Sequence, residues 1–206
     1  MCLLIHKPKN AVLPEQLLDS AADFNPHGYG FISYDKHGKL VIRRSATTSS
    51  RELHELYEEF HPQECVIHLR YGTSGLADFE NTHPIRITDD IYLAHNGTLN
   101  LPRHTGERSD TWHLVNDYLE PILRNRPQLL HDRFFQELVS SWCGLHNRFV
   151  FVDGAAQKTV IVNRDKGFEL DGVWLSNTRW FDASRFKWHP AHSTTEQKGT
   201  LAIFSI

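Results

Sequence analysis

No apolar run in this chain approaches the roughly 20 residues that a membrane-spanning helix needs, so no bilayer span is expected. The first residues, Met1-Cys2-Leu3-Leu4-Ile5-His6-Lys7-Pro8, lack a basic leader and carry too short an apolar stretch for a secretory signal. Cysteine is scarce. Three residues, Cys2, Cys65 and Cys143, make an odd count without the spacing of a disulfide framework. They read as free thiols of a reducing compartment, and the cytoplasm is the expected location. Neither sign of charge dominates. With 22 basic and 25 acidic side chains the formal net charge is -3, which leaves no basic field for nucleic acid and no charged tail. Histidine is plentiful, at 14 residues, but no H-E-x-x-H or C-x-x-C spacing occurs, so no metal is expected. Internal repeats, linkers and low-complexity stretches are also missing. What remains is an ordinary globular composition over 206 residues. The expectation is one domain, 1–206, large enough to bury a core without covalent staples.

The pattern alternates between strand-like and helix-like segments. Cys2 to His6 reads as a buried strand closed by Lys7-Pro8. Pro14 opens a helix with Leu17, Leu18, Ala21 and Ala22 on one face. Phe31–Tyr34 and Lys39–Arg43 form a hairpin around the turn Asp35–Gly38. Ser49 or Ser50 caps a helix running to about Phe60. Cys65–Arg70 and Ile91–His95 are strands separated by a long polar connection, 71–90. Ser109 caps a helix carrying Trp112, Leu114, Val115, Tyr118 and Leu119, which Pro121 kinks or divides. A further helix is expected from about Pro127 to Trp142, with Leu130, Phe134, Leu138 and Val139 as its apolar residues. Short apolar runs follow at Phe149–Val152, Thr159–Val162, Gly172–Leu175 and Leu201–Ile206. Strands, then two consecutive helices, then strands suggest stacked sheets with helices outside.

A few side chains can carry chemistry. Cysteine directly after an initiator methionine becomes residue one when that methionine is removed. Its α-amine, of pKa roughly 7.7–8.0 in reference peptides, then stands beside a nucleophilic thiol. Taken alone, Cys2 is more often a buried cysteine at a strand start. An Asn96 amide and the Gly97 N–H can both face one oxyanion, although an isolated Asn-Gly is more often a hairpin turn. Arg70, with Thr73, can hold a carboxylate, and Asp110 an ammonium group. Each has an ordinary alternative, a surface ion pair for Arg70 and a helix-dipole partner for Asp110.

Read in order, these pieces acquire a common meaning. Met1-Cys2, Asn25-Pro26-His27-Gly28-Tyr29-Gly30, His68-Leu69-Arg70-Tyr71-Gly72-Thr73-Ser74-Gly75, Asn81-Thr82-His83-Pro84, His95-Asn96-Gly97-Thr98 and Ser109-Asp110-Thr111 follow one another across residues 1 to about 111. In this order and spacing the chain resembles the class II glutamine amidotransferases, a branch of the N-terminal-nucleophile hydrolases. It stands nearest to small stand-alone phage and bacterial members. The resemblance implies an α+β fold, a four-layer αββα sandwich of two mainly antiparallel sheets, with the site at their open end. It makes Cys2 the nucleophile and its α-amine the base, and Asn96 and Gly97 the oxyanion hole. Arg70 and Thr73 would hold the substrate α-carboxylate and Asp110 its α-ammonium, with Gly28 on the loop facing the nucleophile. No cofactor is implied. His68, His83 and His95 read as hydrogen-bonding scaffold. Ser176-Asn177-Thr178 could reach the site from a late strand end.

The leading functional expectation is hydrolysis of the glutamine side-chain amide through a γ-glutamyl thioester. These 206 residues leave no room for a synthase domain beside the sandwich. The released ammonia would therefore pass to water or to a separate acceptor protein. A second expectation keeps the site but takes a larger γ-glutamyl amide. A silent binding module ranks third, because Cys2, Arg70, Asn96 and Gly97 are all present.

Overall fold

The computed structural model of the chain describes residues 2–72, 79–101 and 108–182. Thr73 and the apolar run Leu201–Ile206 lie outside the described residues, as does Met1.

The chain enters on strand β1 (Leu3–Lys7), whose five residues are all buried. Helix α1 (Glu15–Phe24) begins after Pro14 and buries Leu17, Leu18, Ala21 and Ala22, the face expected from their spacing. Strands β2 (Tyr29–Tyr34) and β3 (Leu40–Ser45) form the hairpin. Asp35 Oδ1 closes its turn by accepting the backbone N–H groups of His37 and Lys39. Ser49 caps helix α2 (Ser50–Phe60), accepting from Glu52 N at 3.3 Å. Strand β4 (Cys65–Leu69) then pairs with both β1 and β2.

The connection 71–90 is not wholly irregular. It contains a short strand, β5 (Ile85–Arg86), which pairs with β6 (Ile91–Asn96). Helix α3 (Asp110–His113) starts under the Ser109 cap and widens into a π-helical stretch, Leu114–Leu119, before α4 (Glu120–Leu123). The backbone therefore stays helical through Pro121. The wider turns just before it accommodate a residue that brings no N–H and a ring that crowds the preceding turn.

The helix expected over Pro127–Trp142 is divided. A 3-10 segment, Pro127–His131, is followed by α5 (Arg133–Cys143). The break falls at Asp132, which leaves helical geometry and caps α5 by accepting from Phe135 N at 3.0 Å. The rotation that results buries Phe135 and Val139 and leaves Phe134 and Leu138 exposed. Strands β7 (Arg148–Asp153), β8 (Lys158–Val162), β9 (Phe168–Leu170) and β10 (Val173–Leu175) complete the described chain. Of these, β9 is too short and too exposed to have announced itself in the pattern.

All described pairings are antiparallel. One sheet has the order β3-β2-β4-β1-β10-β9 and the other β5-β6-β7-β8. Three apolar clusters separate the layers. Leu3, Ile5, Phe31 and Ile67 of the first sheet pack on Leu17, Leu18 and Leu53 of α1 and α2. Leu4, Ile32, Val66 and Trp174 face Ala94, Val150 and Val152 between the sheets. Leu93, Phe149 and Phe151 of the second sheet pack on Leu114, Val115, Phe135 and Val139. Period-two alternation along β1, β4, β6 and β7 sends alternate residues into different clusters, giving the layer sequence helix, sheet, sheet, helix. No described helix is long and apolar enough to cross a membrane.

Candidate active site

Residues at one end of the two sheets converge on a small cavity of about 40 Å³. Cys2 lies there, immediately before β1, partly exposed. Its carbonyl accepts from Asn177 Nδ2 at 2.8 Å, and its Sγ lies 3.8 Å from the Tyr71 carbonyl. Desolvation by the surrounding chain pushes the Cys2 thiol above its ordinary value, and the nearby Arg70 charge opposes this more weakly.

The residues after β4 form the next wall. Arg70 is buried and lines the cavity with Tyr71 and Gly72. The 25–28 loop fixes this stretch through two backbone hydrogen bonds and one to the His27 ring. Arg70 N donates to Gly28 O at 2.8 Å, His27 N donates to Arg70 O at 3.1 Å, and Gly72 N donates to His27 Nδ1 at 2.9 Å. Gly28 itself does not line the cavity. It holds Arg70 from behind, at φ +119, where an added Cβ would stand 2.7 Å from the Ser45 carbonyl.

A third wall comes from the segment crossing between the sheets. His83 and Asn81 both line the cavity. Asn81 Oδ1 accepts from Ser109 N at 2.7 Å, tying this segment to the start of α3. The His83 carbonyl passes so close to Gly30 that a Cβ there would lie 1.9 Å away. His83 Nδ1 lies 2.9 Å from His68 Nε2, and His95 bonds Thr111 Oγ1 and Asn147 Oδ1, each at 2.8 Å. Burial pushes His68 down to about 3 and His83 well below its ordinary value. Burial also lowers His95, with Asp110 opposing. The three imidazoles are therefore an uncharged frame around the cavity at neutral pH.

The fourth wall is Gly97 with Asp110. Strand β6 stays paired to its last residue, Asn96 lying opposite Arg148, and Gly97 follows at φ +154 on the cavity wall. Asn96 sits behind it, 1% exposed and off the cavity wall, with Nδ2 donating to Ser176 Oγ at 2.7 Å. Asp110 opens α3. Its Oδ2 accepts from Leu99 N and its Oδ1 from Thr111 N, both at 2.7 Å.

The structure thus brings Cys2, Arg70, Gly97 and Asp110 onto one cavity, with Asn96 and Gly28 directly behind it. Thr73 lies outside the described residues. Ser176 and Asn177, expected to approach from a late strand end, do so. Asn147 was not singled out in the sequence. It follows a turn after Gly144 and carries no periodic or motif signal, although its Oδ1 would be 2.0 Å from a Cβ on Gly97.

A much larger cavity, about 940 Å³, lies at the opposite end of the second sheet. Charged residues on its wall are largely paired, as in Arg86–Asp89, Arg124–Glu120 and His131–Asp153, and no cysteine is among the described residues that line it. Among the described residues no group of three or more His, Cys, Asp or Glu is placed to hold a metal.

The family model for class II glutamine amidotransferases matches residues 16–117, a span that contains Gly28, Arg70, Asn96, Gly97 and Asp110. This span of the chain belongs to the class II glutamine amidotransferase family. No curated protein matches the sequence. Among solved structures, the amidotransferase resembles glutamine phosphoribosylpyrophosphate amidotransferase from B. subtilis in complex with ADP and GMP. That match has a TM-score of 0.50 and 16% identity over 88% of this chain and 43% of that one. The chain therefore spans under half of that structure's length, and at this identity the likeness is one of fold: two antiparallel sheets with flanking helices. A glutamine aminotransferase class-II domain protein from Silicibacter pomeroyi matches at TM-score 0.37 and 14% identity, over 75% of this chain and 73% of that one.

Proposed function

We propose that this amidotransferase hydrolyses the side-chain amide of glutamine with Cys2 as nucleophile. The observation that carries the reading is the convergence of Cys2, Arg70, Gly97 and Asp110, from four separate segments, on one cavity. In the proposed cycle Met1 is removed and the Cys2 α-amine becomes free. That amine takes the thiol proton, which matters here because desolvation holds the thiol up. The thiolate attacks the γ-carboxamide carbon. The oxyanion that forms is received by the Gly97 N–H and the Asn96 amide. Proton return from the ammonium to the leaving nitrogen expels ammonia and leaves a γ-glutamyl thioester, which water then cleaves to glutamate. Arg70, with Thr73, takes the substrate α-carboxylate and Asp110 the α-ammonium. The neutral histidine frame adds no competing charge.

The ammonia is then free for solvent or for an acceptor. The test is intact mass before and after incubation with an electrophilic glutamine analogue, combined with ammonia and glutamate release from glutamine, asparagine and several γ-glutamyl amides. Loss of one methionine, a single adduct on Cys2 and release from glutamine are the expected results. A homogeneous full-length mass in fully active protein would refute the mechanism. Brisk cleavage of a bulky γ-glutamyl amide with glutamine untouched would replace glutamine with that larger substrate.

A further inference from the structure

The bonding around Asn96 does not balance. Its Nδ2 donates to Ser176 Oγ at 2.7 Å, while its Oδ1 is buried without a partner among the described residues. Ser176 is fully buried, and its Oγ also accepts the Leu4 N–H at 2.9 Å, with Asn177 Nδ2 a more distant donor at 3.4 Å. A hydroxyl has two acceptor sites and one proton. With both acceptor sites taken, the Ser176 proton and the Asn96 oxygen are left over together, 80 residues apart in sequence but in contact in space. Turning the carboxamide half a turn about its Cβ–Cγ bond resolves both. Ser176 Oγ–H then donates to Asn96 Oδ1, and Leu4 N–H keeps its acceptor. Nδ2 is released on the far side, where the group now pointing there has no partner among the described residues, and its N–H groups are free to donate to an arriving oxygen.

We propose that Ser176 is the positioning residue of the oxyanion donor: it accepts from Asn96 Nδ2 in the empty site and donates to Asn96 Oδ1 when a substrate oxygen takes that nitrogen. This rests on the glutamine hydrolysis proposed above. The exchange moves hydrogen bonds only, and the proton stays on Ser176 throughout. The place of Ser176 in the fold suits the task. It follows β10 directly and is tied to β1 a second time through its own N–H, which donates to Leu4 O at 2.9 Å. The next residue, Asn177, holds the Cys2 carbonyl. One dipeptide therefore grips the nucleophile's residue in one sheet and the oxyanion donor in the other. The oxygen it prepares for is the one that becomes negative as the thiolate adds to a carboxamide carbon.

The test uses the processed full chain and glutamine. Ser176→Ala should lower kcat by about 10–100-fold and leave KM within about twofold, since Asn96 acts on charge that develops only in the transition state. Ser176→Thr, which keeps the hydroxyl, should recover most of the rate. In an Asn96→Ala background Ser176→Ala should lower kcat no further, because its route to the chemistry is already gone. Iodoacetamide should alkylate Cys2 in Ser176→Ala at the wild-type rate, as that reaction forms no oxyanion. Multiplying losses in the double variant, a change confined to KM, failure of threonine to rescue, or slowed alkylation each overturns the proposal. A measurement independent of turnover accompanies these: the Asn96 side-chain NH₂ pair in a ¹⁵N NMR spectrum, identified by its loss in Asn96→Ala. It should shift in Ser176→Ala, and an unmoved pair overturns the proposal whether or not glutamine is hydrolysed. Absence of both glutamine hydrolysis and Cys2 labelling in wild type would overturn the glutamine reading alone, leaving the NMR result to decide on Ser176. If Ser176→Ala does not fold, Ser176→Cys takes its place in the kinetics and the NMR.

Discussion

Acidification should unfold this protein through its buried histidines. His68 and His83 lie beside the cavity, both buried and 2.9 Å apart. Burial is the main cause that pushes His68 down to about 3, and it takes His83 well below its ordinary value. In the unfolded chain each would titrate near 6.5. Folded pKa values below unfolded ones mean that, between these limits, the unfolded state binds more protons. Stability is therefore complete above about pH 6.5 and falls as pH drops, until His68 begins to protonate in the folded state near pH 3. Each such histidine contributes a slope of about 1.4 kcal/mol per pH unit. At pH 5.0 the loss is about 2 kcal/mol for His68, and His83 adds to it in the same direction, against a typical domain stability of about 5–15 kcal/mol. The assay is urea denaturation at pH 7.5, 6.0 and 5.0, followed by the fluorescence of buried Trp174 and Trp180. His83→Gln, compared at the same three pH values, cancels the contribution of titrating groups that do not touch His83. The variant should be less stable at pH 7.5 yet lose less stability than wild type on going to pH 5.0. Wild-type and variant stabilities that fall in parallel would refute the reasoning. So would a ring signal of His68 or His83 that titrates near pH 6.5 by NMR.

The remaining expectations concern the walls of the cavity. Gly30→Ala places a Cβ 1.9 Å from the His83 carbonyl, so it should destabilise the fold by about 1–3 kcal/mol in urea denaturation and displace the 81–84 segment. Gly97→Ala meets both a φ of +154 and Asn147 Oδ1 at 2.0 Å, so its glutaminase activity should fall with or before its stability. Cys2→Ser and Cys2→Ala should fold, by circular dichroism, and release no ammonia. Asn96→Ala should lower kcat by about 10²–10³, whereas Arg70→Ala should mainly raise KM, because a carboxylate contact is made in ground and transition states alike; steady-state kinetics separate the two.

What was legible in the sequence follows from the range of the interactions concerned. Caps and faces are local, so Ser49, Ser109, Pro14 and the α1 stripe could be read directly. The break at Asp132 was not, because Leu130 to Val139 carries apolar residues dense enough to suit one continuous helix. Asp132 wins by capping, and the change of phase exposes Phe134 and Leu138. The cavity residues were legible as types in order. Their arrangement was not, because it depends on contacts such as Arg70–Gly28, Asn81–Ser109, His95–Asn147 and Asn96–Ser176, between segments far apart in the chain.

The dipeptide Asn96-Gly97 shows where geometry decides between two readings of the same letters. As a hairpin turn of the type that Asn-Gly favours, it would need positive φ at both residues. Gly97 has φ +154, but Asn96 does not belong to the described non-glycine residues with positive φ, and it still pairs with Arg148 in the β6–β7 ladder. The chain after Gly97 does not return along β6 either; it runs on to the Ser109 cap and α3. So the turn reading fails on backbone conformation, on pairing and on connectivity together. Asparagine at this point has a side-chain reason instead, because Nδ2 reaches across to Ser176 of the other sheet. Glycine has a packing reason, because Asn147 Oδ1 occupies the space where a Cβ would go. A carboxamide held from behind beside a residue that can carry no side chain is a costly combination in a buried sheet end, and in the mechanism we propose the oxyanion arriving at the Gly97 wall is the occupant that compensates for it.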